Sequence, residues 1–479
     1  MTQMNHKIDD MHFQNEGSFE WTDIYAVPVS GSFLLCSPRR TISALVNRKA
    51  IEYIIERPSG KGKAGPEADK LQNLFDSLSR PLSAIPSERK GPINPAFLGI
   101  IPTRRCNLSC LYCDFGAGKA SDDQMDLRMA AKAVDWIAET AYHLRQDAFE
   151  VHFFGGEPFA GQEVIEVAVH RSRALAQGMG MAARFEVATN GVFSDDVACF
   201  VGHYFDTAVL SFDGPEEVHD RNRPGKRSQG SFARVARTAS LLSRSPVDLC
   251  FRMCVTRESV GKMETIARWF VETFQPLIIN FETLQPTSES NEAGLRPPDP
   301  YDFAEHYVRS RRVLKDLGIH AVYASAVTGE IRHSFCPVGK DAAILSPDGR
   351  VSSCYLLRKS WEKRGLDMDI GRFADDGTMH LNMESIGKLR SLVKDKPRCE
   401  CCFCRWTCAG GCHVNHSYPG SPLQRTDFCI QTRIITACSL LDDLGMEQEM
   451  EKLLSDRATM EALALAPSDR LNDTNIGRG

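Results

Sequence analysis

The sequence predicts an α/β protein whose middle is a parallel sheet with helices outside it. Three observations carry this. From Ala96 onward, strand-like runs alternate with amphipathic helical runs in roughly six repeats. A Pro-rich stretch, PLSAIPSERKGPINP, ends at Pro95 and marks where the alternation begins. Beyond about His333 the alternation stops, and cysteines, glycines and short strands replace it.

The elements follow in order. IYAVPVS, SFLLCS and TISALV read as strands and NRKAIEYIIE as a helix, which makes a small β-rich unit ahead of the sheet. GKGKAGPEA reads as a flexible break, followed by a short helical stretch. Then come the strand FLGIIPT, the helix MDLRMAAKAVDWIAETAYHL, the strand FEVHFFG, the helix EVIEVAVHRSRALAQ and the strand FEVATNG. TAVLSFDG, FARVARTASLLS, LCFRMCV, ESVGKMETIARWFVETF and LIINFETL continue the pattern. Such βα units give a sheet either open or closed as a barrel, with ligands at the loops after the strand C-termini. Next, ILS and RVSSCYLL flank a Pro-Asp-Gly turn and read as a hairpin. The helical ITACSLLDDLGMEQEMEKLLSD closes the fold, and residues from about Ala466 to Gly479 read as frayed.

With 479 residues the chain exceeds a single core and suggests about three domains. Its 42% hydrophobic and 25% charged residues are those of an ordinary globular protein. A net charge of −5 gives no global attraction to nucleic acid or an anionic membrane, and the basic loop Arg221 to Arg227 reads as solvated. The N-terminus lacks a secretory pattern and no segment is long and apolar enough for a span, so a cytosolic protein is expected. In a reducing compartment its 17 cysteines point to metal or chemistry rather than disulfides, and seven of them lie between Cys399 and Cys429.

Cys106, Cys110 and Cys113 stand in Cys-x₃-Cys-x₂-Cys spacing on the loop after the first strand of the alternation. Three thiolates on one short loop can hold three corners of a [4Fe–4S] cube and leave the fourth iron open for a substrate. Structural zinc or buried thiols are the alternative. Gly155-Gly156-Glu157-Pro158, Thr189 and Asn190 in VATNG, and Ser211 and Asp213 in SFDG all fall at strand ends. Asn-Gly and Asp-Gly also suit ordinary turns.

Together these motifs resemble the radical S-adenosylmethionine (SAM) superfamily. The resemblance implies a partial (β/α)6 barrel, a [4Fe–4S] cluster on Cys106, Cys110 and Cys113, and SAM chelated by the open iron. Reductive cleavage of SAM then gives a 5′-deoxyadenosyl radical that abstracts hydrogen. Tyr112 matches the aromatic near the adenine. GGEP matches the element that engages the methionine amino group, and Thr189, Asn190, Ser211 and Asp213 match the ribose and carboxylate contacts.

Cys336-x₁₂-Gly349-x₄-Cys354, Cys399-x₂-Cys402-x₅-Cys408-x₃-Cys412 and Cys429 resemble a SPASM domain. This implies two auxiliary [4Fe–4S] clusters, one on Cys336, Cys354 and Cys412 and one on Cys399, Cys402, Cys408 and Cys429. Two interleaved zinc sites are the competing reading. The stretch between Cys336 and Cys354 holds no further cysteine; Asp341, Cys401 or Cys404 are candidates for the open ligand position. Sulfatase-maturating enzymes usually carry Asp after the cysteine equivalent to Cys354, where this chain has Tyr355. Cys36, Cys199, Cys250, Cys254 and Cys438 read as core packing.

The expected organisation is an N-terminal α+β unit with its linker over 1–92, the barrel over 93–330, the SPASM domain over 331–440, and a C-terminal helix and tail over 441–479. The N-terminal unit resembles the peptide-recognition modules of radical maturases, which bind a leader as an added strand; a cap over the barrel mouth is the other option. The resemblance implies a maturase that crosslinks side chains of a ribosomally made precursor peptide, with the His-Xaa-Ser system a possible closer relation. It also implies a flavodoxin- or ferredoxin-type donor, and no nucleic-acid or membrane partner. The alternatives are a sulfatase maturase, a SPASM-type small-molecule dehydrogenase and a zinc-stabilised nucleic-acid-binding protein. Asp341, Asp348 and Glu282 are the candidates for a catalytic base.

Overall fold

The computed structural model describes residues 21–56, 68–84, 91, 93–95, 97–115, 123–226, 229–332, 334–336, 342–392, 396–416 and 425–473. The candidate Asp341 and the GKGKAG break fall outside them. Strands β1 (Tyr25–Val29), β2 (Ser32–Ser37) and β3 (Ile42–Val46) form an antiparallel meander, followed by the helix Arg48–Glu56. The sheet-and-helix unit read from the sequence is therefore present.

The second sheet holds β4 (Phe97–Ile100), β5 (Ala148–Phe153), β6 (Ala182–Thr189), β7 (Thr207–Ser211), β8 (Asp248–Val255) and β9 (Ile278–Thr283). It also holds β10 (His320–Val322), β11 (Ala342–Leu345), β12 (Arg350–Ser352), β13 (Asp369–Phe373) and β14 (Met379–Leu381). Their order is β10-β9-β8-β7-β6-β5-β4-β11-β12-β13-β14, open at both ends. Every pairing from β10 to β11 is parallel, and those from β11 to β14 are antiparallel. The hairpin read around Pro-Asp-Gly is β11–β12, and it extends the βα sheet because β11 pairs with β4, Ala342 opposite Phe97.

Period-2 patterning explains which way each strand faces. On β5, Phe149, Val151 and Phe153 are buried against helices, while Glu150 and His152 face the other side. The helix Leu127–His143 answers with Ala130, Val134, Ile137 and Ala141, and Asp126 caps it by accepting from the amides of Arg128 and Met129.

Three sequence expectations fail here. Cys199 is exposed rather than in the core, because it lies on the solvent side of the helix Asp195–Tyr204. The closing helix read over Ile435 to Asp456 is two helices, Asp427–Asp443 and Glu447–Ser455, broken at Gly445 with φ 69°, and a further helix, Arg457–Leu465, follows. Within the tail expected to be frayed, Asp469 and Leu471 are each 1% exposed. The segment around them closes the outer edge of β1: Ala26 donates to the Asp469 carbonyl at 2.9 Å and Leu471 to the Ile24 carbonyl at 3.0 Å.

Candidate functional site

The loop after β4 carries Cys106, Cys110 and Cys113 and is sewn to the loops after three neighbouring strands. The amides of Gly156 and Glu157 donate to the carbonyls of Thr103 (3.3 Å) and Arg105 (2.7 Å). The Asn107 side chain donates to the Val192 carbonyl at 2.6 Å, and Ser109 and Leu111 donate to Pro224 and Asn222. The glycines of GGEP serve this contact. A Cβ at Gly156 would lie 2.2 Å from the Arg105 carbonyl oxygen, and one at Gly155 would lie 2.7 Å from that of Thr103. The close approach expected from glycine here is thus to the cysteine loop's own backbone.

Glu157, 1% exposed, locks the GGEP and TNG loops together. Its carboxylate accepts from Thr189 Oγ1 at 2.7 Å, the Asn190 amide at 2.9 Å and the Phe159 amide at 3.2 Å. Burial pushes its carboxyl up to about 7 against those hydrogen bonds. Pro158 opens the 3₁₀ turn that follows. Asn190 Nδ2 reaches Asn107 Oδ1 at 2.8 Å and Cys106 Sγ at 3.6 Å.

Asp213 is a second buried hub. It accepts from Tyr112 Oη (2.8 Å), Asn222 Nδ2 (3.1 Å) and the Cys254 amide (3.0 Å), and pairs with Arg223 Nε at 3.1 Å. The Arg223 guanidinium lies 5.2 Å from the Tyr112 ring centroid. The amide of Asp213 donates to His219 Nδ1 at 3.3 Å, and burial lowers that imidazole to about 4, which keeps it neutral. Arg223 overturns the solvated reading of the basic loop: it is 8% exposed, because its charge is drawn in to Asp213. Arg223, Asn222 and His219 were missed; the readable signal was HDRNRP only five residues after SFDG.

Cys106 and Cys110 both feel the neighbouring Cys113. Burial, with the neighbouring thiols adding to it, pushes Cys106 up to about 11 and Cys110 up to about 12. Cys106 Sγ also accepts from the Leu108 amide at 3.5 Å. Partly buried sulfurs that crowd one another and collect N–H donors suit a metal-bound thiolate loop. No group of three or more His, Cys, Asp or Glu side chains converges on a single-ion site among the described residues.

The C-terminal cysteines act on one another in two sets. Burial carries Cys354 up to about 12, with Cys412 and Cys336 both adding to it. Cys399 rises to about 11 by burial with help from Cys402 and Cys429, and Cys408 rises through burial beside those same three. Asp114, next to Cys113, acts on Cys354 as well and accepts from Ser360 at 2.6 Å, so the Cys354 group adjoins the first cysteine loop. Cys401 holds Asp469 through its carbonyl, and Cys404 is buried beside Cys402.

Tyr355 is buried between Phe97 (6.2 Å, 3°) and Phe154 (4.9 Å, 54°). Gly99 makes room for it, since a Cβ there would meet Tyr355 Oη at 2.8 Å. Ser211 ends β7 opposite Arg252, and Glu282 lies opposite Cys254 on β9. Burial raises the Glu282 carboxyl while Arg252 pulls it down, and Glu282 acts in turn on Cys412. Asp348 is an exposed turn residue paired with Arg104 (3.6 Å) and Arg350 (3.5 Å). The N-terminal unit packs on the cysteine-rich region: Trp406 Nε1 donates to Asp23 at 2.6 Å, and Arg39 lies over the Trp406 ring.

Residues 100–270 match the Radical SAM superfamily. The chain is 26% identical over 342 residues to the serine-type anaerobic sulfatase-maturating enzyme of Klebsiella aerogenes, covering 68% of this chain and 79% of that one. It is 28% identical over 167 residues to the PqqA peptide cyclase of Gluconobacter oxydans, covering 34% and 42%. A solved structure, native anSMEcpe with bound AdoMet and Cp18Cys peptide, shares the fold at TM-score 0.57 and 18% identity, covering 75% of this chain and all of that one. No helix among the described residues is long and apolar enough to cross a membrane. The interlocked strand-end loops around Cys106, Cys110 and Cys113 lie in the matched region, and the chain is an enzyme that carries a radical SAM domain over residues 100–270 and uses a [4Fe–4S] cluster and SAM.

Proposed function

We propose that the chain is a cytoplasmic maturase that oxidatively crosslinks side chains of a ribosomally made precursor peptide. The observation that carries this reading is the gathering of the C-terminal cysteines into two groups, one beside the Cys106–Cys113 loop. Cys106, Cys110 and Cys113 would hold the cluster that binds SAM. Cys336, Cys354 and Cys412, and Cys399, Cys402, Cys408 and Cys429, would hold two auxiliary clusters. SAM, once reductively cleaved, supplies a 5′-deoxyadenosyl radical for hydrogen abstraction.

The chain's own part is positioning. Glu157 fixes Thr189 and Asn190 against the cysteine loop, and Asp213 fixes Tyr112 and Arg223. Glu282, half-buried and acting on Cys412 with Arg252 nearby, is the best-placed of the base candidates to take a proton from substrate; Asp348 is already ion-paired at the surface. A peptide substrate is supported by the relatives named as sulfatase maturase and PqqA peptide cyclase. Tyr355, packed among aromatic rings after Cys354, disfavours the formylglycine-forming alternative.

The N-terminal unit would bind the leader. Its β1 edge is closed by residues 469–471, which among the described residues leaves the outer edge of β3 for an added strand. Electrons would come from a flavodoxin or ferredoxin. Co-expression with a candidate peptide encoded next to this gene tests the proposal: mass spectrometry should show a loss of about two daltons per crosslink, the two hydrogens a new bond between side chains removes. An unmodified peptide beside an active, SAM-cleaving enzyme would sink the crosslinking reading.

A further inference from the structure

Arg433, on the helix Asp427–Asp443, is 1% exposed and surrounds itself with acceptors. Its Nη1 and Nη2 donate to the two carboxylate oxygens of Asp469 at 2.5 and 2.7 Å. Nη2 and Nε donate to the Leu463 carbonyl at 2.6 and 3.2 Å, and Nη1 reaches Cys402 Sγ at 3.3 Å. Asp469 embraces the same cysteine from the other side. Its carboxylate accepts from the Phe403 amide at 3.0 Å, and its amide donates to the Cys401 carbonyl at 2.9 Å.

A buried ion pair is a poor way to gain stability, since apolar residues of similar volume do as well or better. This one is asymmetric about a sulfur. The cation donates to the Cys402 sulfur directly, whereas the anion opposes it through space. The same surroundings hold further cations: Arg425 acts on Cys402, and the buried amine of Lys396, which donates to the Gly410 carbonyl, lies near Cys399 and Cys408. Charge and hydrogen bonds at ligating sulfurs are among the protein's means of setting a cluster's potential. Reduction adds an electron, so a fixed cation in a water-poor site stabilises the reduced form.

We propose that Arg433 and Asp469 set the reduction potential of the cluster bound through Cys402, Arg433 raising it and Asp469 moderating it. This rests on the reading that Cys399, Cys402, Cys408 and Cys429 hold an auxiliary [4Fe–4S] cluster. Both are positioning residues that act through a sulfur, and neither touches substrate.

The test is a redox titration of the full chain, reconstituted anaerobically and followed by electron paramagnetic resonance, with iron counted in each sample. Cys402→Ala should abolish one midpoint and so identify it. Asp469→Asn, nearly isosteric, should move that midpoint upward. The double variant Arg433→Met with Asp469→Leu, which leaves neither charge buried alone, should move it downward with iron content unchanged. If the double variant does not accumulate, Arg433→Lys replaces it, with a downward shift expected as the cation withdraws from the sulfur. Retention of every midpoint and all iron in Cys402→Ala would overturn the ligand reading. A midpoint lost in Cys402→Ala but unmoved in the charge variants, or moved in one direction by both, would overturn the inference alone.

Discussion

Gly156→Ala tests the claim that the GGEP and cysteine loops form one rigid unit. The added Cβ would sit 2.2 Å from the Arg105 carbonyl oxygen and 2.5 Å from that of Arg104. Ordinary C···O contacts begin near 3.3 Å, so one loop must retreat by about 1 Å. Both neighbours are backbone, and no rotamer change relieves the overlap. Overpacking of this kind costs about 1–3 kcal/mol. The retreat also breaks the hydrogen bonds from Gly156 to Thr103 and from Glu157 to Arg105, at about 1 kcal/mol each. The sum is about 3–5 kcal/mol, and a 1 Å displacement at a reacting centre lowers turnover by about 10²-fold. Gly178→Ala is the control: it lies in the helix Gln162–Met179 with nothing near its Cβ, and should stabilise by about 0.5–1 kcal/mol. Urea unfolding under argon and the rate of 5′-deoxyadenosine formation with dithionite measure both effects. A Gly156→Ala enzyme as stable and as fast as its parent would refute the packing argument.

Two further predictions concern the buried hubs. Because Glu157 has its pKa raised from 4.5 to about 7 in the folded chain, the unfolded chain gives up this proton first as pH rises. Stability from neutral Glu157 is therefore complete below about pH 4.5 and lost by about pH 7, a difference of about 3 kcal/mol at 1.36 kcal/mol per unit. Glu157→Gln should abolish that slope in urea unfolding between pH 5 and 8; a slope equal to the parent's would assign it elsewhere. Arg223→Met strands the buried Asp213 carboxylate and should cost about 3–5 kcal/mol, while Arg221→Ala, half exposed and paired with Glu258, should change stability by less than about 1 kcal/mol. Equal effects of the two in thermal unfolding would mean that Arg223 is as solvated as its loop's composition suggests.

What the sequence made legible was local. Alternating apolar faces gave β4 to β9 and their helices, and the cysteine-rich stretches marked where thiols lie close enough to act on one another. What it hid depends on distant chain segments meeting. The charge of RNRPGKR says nothing of Arg223 folding under Asp213. A polar tail reads as loose because its burial depends on Arg433, two helices away in sequence but in hydrogen-bond contact in space. The union of β11 with β4 was equally invisible, since each strand alone reads as a short apolar run. Cys199 failed for a simpler reason: an apolar neighbourhood in sequence does not tell which face of a helix a residue takes.

The central claim is a radical SAM enzyme with three clusters, and counting iron alongside turnover tests it most directly. The full chain, reconstituted anaerobically, should hold about twelve irons and convert SAM to 5′-deoxyadenosine with dithionite, and replacing Cys106, Cys110 and Cys113 together by Ala should remove about four irons and all turnover. Bound zinc in place of iron, with no 5′-deoxyadenosine formed, would contradict it.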